Sequence, residues 1–213
     1  MAAYDLEEQE QLAALKAWWS DNGKQVIALV VLVVVALGGW FGWNAYQRNQ
    51  AVQASGLYDA VQKAARVGDL KQVRESAGAI IEAYPRTTYA AMAALVSAKA
   101  HFAGGDLKTA RAQLSWVAES APDEGLQDIA RLRLASVMLD EKAYEDALKA
   151  LDAKHGAGFD ALYLAARGDV LIAQGQKDEA GSAYKAALDK ADARDAGLRS
   201  SIQLRLDALG SAK

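Results

Sequence analysis

A chain of 213 residues without cysteine excludes disulfides, thiolate catalysis and zinc–cysteine centres. The net charge of −3 sits in residues 1–47, where Lys16 and Lys24 face Asp5, Glu7, Glu8, Glu10 and Asp21. The remaining 22 basic and 22 acidic side chains cancel, leaving no clustered basic surface to displace the counterions of a nucleic acid. Alanine-rich composition, only two prolines (Pro85 and Pro122) and 52 % hydrophobic residues recurring at helical spacing predict an all-α protein and exclude a disordered one.

In chain order, the first element is a short helix before the apolar run. Leu12, Leu15 and Trp19 share one face. Asp5, Glu7, Glu8 and Glu10 favour its N-terminal dipole, and Asn22-Gly23 is expected to stop it. Lys24 and Arg48 then bracket 23 uncharged residues, with the core VIALVVLVVVALGGWFGW from Val26 to Trp43. At 1.5 Å per residue the core spans about 27 Å and the whole run about 34 Å, bracketing a hydrocarbon layer of roughly 30 Å. Trp18, Trp19, Trp40, Trp43 and Tyr46 form aromatic belts at both ends. The run is too long and its preceding segment too acidic for a cleaved signal peptide, so an uncleaved single membrane helix over 24–47 is predicted. Gly38 and Gly42 form a G-x-x-x-G pair through which another membrane helix could approach. Lys16 and Lys24 on one side against Arg48, Lys63 and Arg66 on the other leave the orientation open.

The region 48–213 repeats. Gly68-Asp69-Leu70-Lys71 returns as Gly105-Asp106-Leu107-Lys108, and Pro85 returns as Pro122, each 37 residues later. Ala110, Ala147 and Ala180 follow successive turns at spacings of 37 and 33. This is a tetratricopeptide-like pattern of helix, turn and helix, predicting an α-solenoid with units at about 54–87, 91–124, 128–158 and 161–192. Ala98, Ala135 and Gly168 fill the small position of the first helices. Ala94, Ser97, Arg131 and Arg167 replace larger residues, and Lys142 replaces a turn glycine. Leu198, Ile202, Leu206 and Leu209 make one stripe over 195–209, suited to a capping helix.

No reacting centre emerges. His101 and His155 lack neighbouring ligands at metal spacing, Gly104-Gly105 reads as a helix end, and no G-x-S-x-G motif occurs. No enzyme activity, cofactor or metal is predicted. First helices line the concave face of such a stack, which makes Met92, Leu95, Phe102, Ile129, Leu132 and Leu139 the candidate protein-binding residues.

The segments EEQEQLAALKAWWSDNGK, TTYAAMAALVSAK, IARLRLASVML, ARGDVLIAQGQKDEAGSAYKAAL and SSIQLRLDAL together resemble the YfgM family of proteobacterial inner-membrane proteins, the ancillary subunit of the SecYEG translocon. The likeness covers essentially the whole chain. It implies a cytoplasmic N-terminal segment (1–23) and a periplasmic repeat domain. It also implies association with SecYEG and the membrane-anchored chaperone PpiD, and a chaperone-like role toward unfolded or partly folded periplasmic clients. It transfers no binding residue. The alternative is a tetratricopeptide scaffold for envelope assembly that binds folded partners.

Overall fold

A computed structural model describes the backbone of residues 2–211 and the side chains of residues 8 and 10–210. It has nine α-helices, one turn of 3₁₀ helix and no β-strand among the described residues. The chain divides into two units, residues 1–49 and 50–213.

The first unit belongs to helix α1 (Ala2–Val67). Every large apolar side chain from Ile27 to Phe41 is exposed, and a helix this long and apolar on all sides is suited to a bilayer. The expected stop at Asn22-Gly23 does not occur. Gly23 stays out of the left-handed conformation that a glycine stop requires. The Asn22 amide donates to the Trp18 carbonyl at 3.0 Å, and the Trp19 indole packs over Gly23. Backbone groups entering hydrocarbon have no water to turn to, so continuing the helix keeps them satisfied. The dipole role expected of Asp5 and Glu7 lies outside the described side chains; Glu8 and Glu10 are exposed. Trp18 and Trp19 are neighbours at 6.5 Å, as are Trp43 and Tyr46 at 6.1 Å. Gly38 and Gly42 face open space.

The second unit begins within α1 at Gln50 and continues through α2 (Leu70–Ala83), α3 (Thr88–Ala103), α4 (Leu107–Ser120), α5 (Glu124–Asp140), α6 (Tyr144–Leu151), α7 (Asp160–Ala173), α8 (Lys177–Lys190) and α9 (Ala196–Ser211). Helices pair in sequence because one turn recurs. Gly68, Gly105, Lys142 and Gly175 all adopt left-handed backbone, at φ of 74°, 80°, 60° and 81°. In each turn the next N–H reaches back five residues: Asp69 to Ala64 at 3.1 Å, Asp106 to His101 at 2.9 Å, Ala143 to Met138 at 2.8 Å and Gln176 to Leu171 at 2.9 Å. This satisfies carbonyls that the helix end would orphan. Asp69 and Asp106 cap the following helices by accepting from Gln72 and Thr109, each at 3.0 Å. Ala143 and Gln176 have no equivalent side-chain cap.

Small residues set the spacing inside each pair. Ala94, Ala98, Ala110, Ala135, Ala147, Ala180 and Ala187 are buried. At Gly168 a Cβ would lie 2.4 Å from the Tyr184 ring, so α7 and α8 meet as closely as the backbone permits. Ile202 of α9 is fully buried, and Leu198, Leu206 and Leu209 pack beside it on the core formed by α7 and α8. The interval of 33 rather than 37 between Lys142 and Gly175 is the net of a shorter α6, with 8 residues where α4 has 14, a longer connection after it, and a shorter α7, with 14 residues where α5 has 17.

Lys142 carries a Cβ into a conformation that costs an L-residue roughly 1–2 kcal/mol. Lys142→Gly is therefore expected to stabilise the protein by about 1 kcal/mol and raise its Tm by about 2–4 °C, read by circular-dichroism melting. An unchanged or lower Tm would show that the lysine side chain contributes enough elsewhere to offset the strain.

A candidate protein-interaction face

The recurrent turns put the first helices in register. The positions 13, 9, 6 and 3 residues before each left-handed residue share a helix face. They are Ser55, Asp59, Gln62 and Ala65 on α1; Met92, Val96, Lys99 and Phe102 on α3; Ile129, Arg133, Ser136 and Leu139 on α5; and Leu162, Ala166, Asp169 and Ile172 on α7. None of these side chains is buried, whereas core residues such as Tyr58, Val61, Leu95, Ala98, Leu134, Met138, Ala165 and Leu171 lie between them. Between α3 and α5 the face deepens into a hollow of about 280 Å³, with Ala98, Phe102, Leu114 and Val137 as its apolar wall and Lys99 and Arg133 at its rim.

The six candidate residues from the sequence divide. Phe102 is 40 % exposed and lines the hollow. Met92, Ile129 and Leu139 lie half-buried on the same face. Leu95, 8 % exposed, is part of the central core, and Leu132 packs half-buried against it. Adjacent helical residues differ by about 100°, so apolar spacing alone does not separate a core position from its groove-facing neighbour. Val96 and Arg133 are those neighbours. Their register becomes visible only once the left-handed residue of each turn is known, because it supplies the common reference point.

A family model described as a tetratricopeptide repeat-like domain matches residues 16–211. A protein of Neisseria gonorrhoeae named ancillary SecYEG translocon subunit is 34 % identical over 213 residues, covering 98 % of this chain and 100 % of that protein. Proteins of the same name from Escherichia coli K12 and Haemophilus influenzae are 34 % and 32 % identical. They cover 95 % and 87 % of this chain, and 96 % and 90 % of their own lengths. The chain belongs to the family of ancillary SecYEG translocon subunits.

In this chain, charged side chains fasten successive helix pairs. The Arg74 guanidinium donates to Asp106 at 2.8 Å, and Arg111, 37 residues on, donates to both Glu141 and Asp146 at 2.8 Å. Arg131 donates to the Ala118 carbonyl near the end of α4, and Arg199 to the Leu188 and Ala191 carbonyls at the end of α8. Cations at helix C-termini satisfy orphan carbonyls and complement the dipole. Arg131 thus serves a purpose that the missing large residue would not. Its partner Asp128 is 2 % exposed and also accepts from the Gly156 N–H at 2.9 Å and from Tyr163 Oη. Burial and that carboxylate push the Tyr163 hydroxyl up to about 12. His155 stacks on Tyr163 at 3.8 Å, pinning the irregular segment after α6. Sequence reading passed over Asp128, although its i, i+3 arginine was a visible signal.

His101 is fully buried where α3 meets the start of α4. Its Nδ1 lies 3.2 Å from Asp106 Oδ2, without hydrogen-bonding geometry. Burial pushes the imidazole below its ordinary 6.5 and Arg74 adds to this, while Asp106 opposes them. The unfolded chain then binds the extra proton as pH falls through 6.5, which favours unfolding. The wild-type chain should lose stability relative to His101→Leu between about pH 7 and pH 5, read as the difference in urea midpoint. A difference independent of pH would show that His101 does not titrate with folding.

Proposed function

We propose that this chain is a non-enzymatic ancillary subunit of the SecYEG translocon. In this reading α1 anchors it in the inner membrane, with residues 1–23 in the cytoplasm and the repeat unit in the periplasm. The repeat unit offers its first-helix face to other proteins. It acts beside the chaperone PpiD, with a chaperone-like role toward unfolded or partly folded clients leaving the translocon. The near-full-length similarity to proteins named for that association carries the reading. An unburied first-helix face with a largely apolar hollow supports binding as its mode of action. Gly38 and Gly42, open to their surroundings, are where a second membrane helix would pack.

Affinity purification from membranes in mild detergent tests the association: SecYEG and PpiD are expected to co-purify. Recovery of neither, from membranes that contain both, would overturn it. The natural absence of cysteine makes orientation directly measurable. With a membrane-impermeant maleimide applied to intact spheroplasts, Ser182→Cys is expected to label and Ser20→Cys to label only after lysis. The reverse pattern would invert the assigned topology.

A further inference from the structure

The charges around the hollow between α3 and α5 are unbalanced. Lys99 and Arg133 form no ion pair and no hydrogen bond with any described residue, while Arg74, Arg111, Arg131, Arg167 and Arg205 all have carboxylate partners. The acids on the same face do not neutralise them. Asp169 on α7 is occupied by Arg205 at 3.1 Å and by the Tyr184 hydroxyl at 2.8 Å, and Asp59 lies at the far end, on α1. A chain of net charge −3 therefore keeps two free cations beside an apolar opening. The opening is large enough for a side chain, since an apolar cavity of about 150 Å³ already holds a benzene ring.

We infer that this hollow receives an apolar side chain, such as Leu or Phe, from an acidic segment of another protein, with Lys99 and Arg133 meeting the flanking carboxylates. The inference deepens the proposed binding role by naming the chemistry that the face selects. The apolar wall supplies affinity by removing the guest side chain from water, and the two cations supply selectivity and speed encounter with an acidic chain. Ser136, the remaining polar residue of the lining, adds no competing charge. A basic segment would meet like charge at both rims.

The test uses the full chain in lipid nanodiscs and fluorescence anisotropy. One fluorescein-labelled peptide carries Leu-Phe flanked by Asp and Glu; a second replaces every acid by Lys; a third replaces Leu-Phe by Ser-Ser. Only the first is expected to bind, with affinity falling as salt rises. Lys99→Glu combined with Arg133→Glu should weaken it by at least about tenfold and transfer preference to the lysine peptide. The milder Lys99→Gln/Arg133→Gln pair, with unchanged helicity, should lose selectivity without gaining the lysine peptide. Equal binding of acidic and basic peptides would overturn the inference, as would affinity unchanged by charge reversal. So would concentration-dependent self-association abolished by Phe102→Asp, because a second copy would then be the occupant. Peptide selectivity is read on the purified chain, so it stands or falls independently of co-purification with SecYEG.

Discussion

Close contact between consecutive helices, with alanine or glycine at the meeting points, is the constraint on which the repeat unit depends. An amphipathic pair cannot cover its apolar stripe alone, so each pair must press against the next. Interior packing is as dense as an organic crystal, and a side chain added at a contact must displace something. Gly168 is the limiting case: the Tyr184 ring occupies the space that a Cβ would need, and the Tyr184 hydroxyl is held in turn by Asp169. Where backbones come this near, the opposite sides of the first helices are left to point outward. The unburied first-helix face is a by-product of the packing.

The turns convert that packing into register. A left-handed residue ends each first helix and launches the second after the same back-reaching hydrogen bond. Three of the four positions hold glycine and the fourth holds a strained lysine, so geometry is conserved within the chain even where the residue type drifts. The arginines then couple one pair to the next. Arg74 and Arg111 bind acids of the following turn, while Arg131 and Arg199 bind helix ends of the preceding pair. These bonds orient neighbouring pairs, and the buried apolar surface supplies most of the stability.

The two units obey different solvents. In the repeat unit most large apolar groups are gathered into buried clusters between the helices, as water demands. In the first unit the apolar side chains from Ile27 to Phe41 are exposed, an arrangement suited to lipid. Tethering holds the stack at a high local concentration near whatever shares its membrane.

The sequence by itself determined what is local and periodic. Twenty-three uncharged residues announce the membrane helix, the Gly-Asp recurrences announce paired helices, and the Leu198–Leu209 stripe announces the last helix. Residue segments spread over the chain were enough to place it in its family. Tertiary structure alone decided which apolar residues are core and which are surface, because a residue and its neighbour are separated by only about 100° around the axis. It moved Leu95 inward, kept Phe102 at the opening, and brought Lys99 and Arg133, 34 positions apart in sequence, to one hollow. It carried α1 through Asn22-Gly23, since a helix entering hydrocarbon has no other partner for its backbone. It also joined Asp128 to Tyr163 and Gly156, groups from three segments whose meeting no spacing rule encodes.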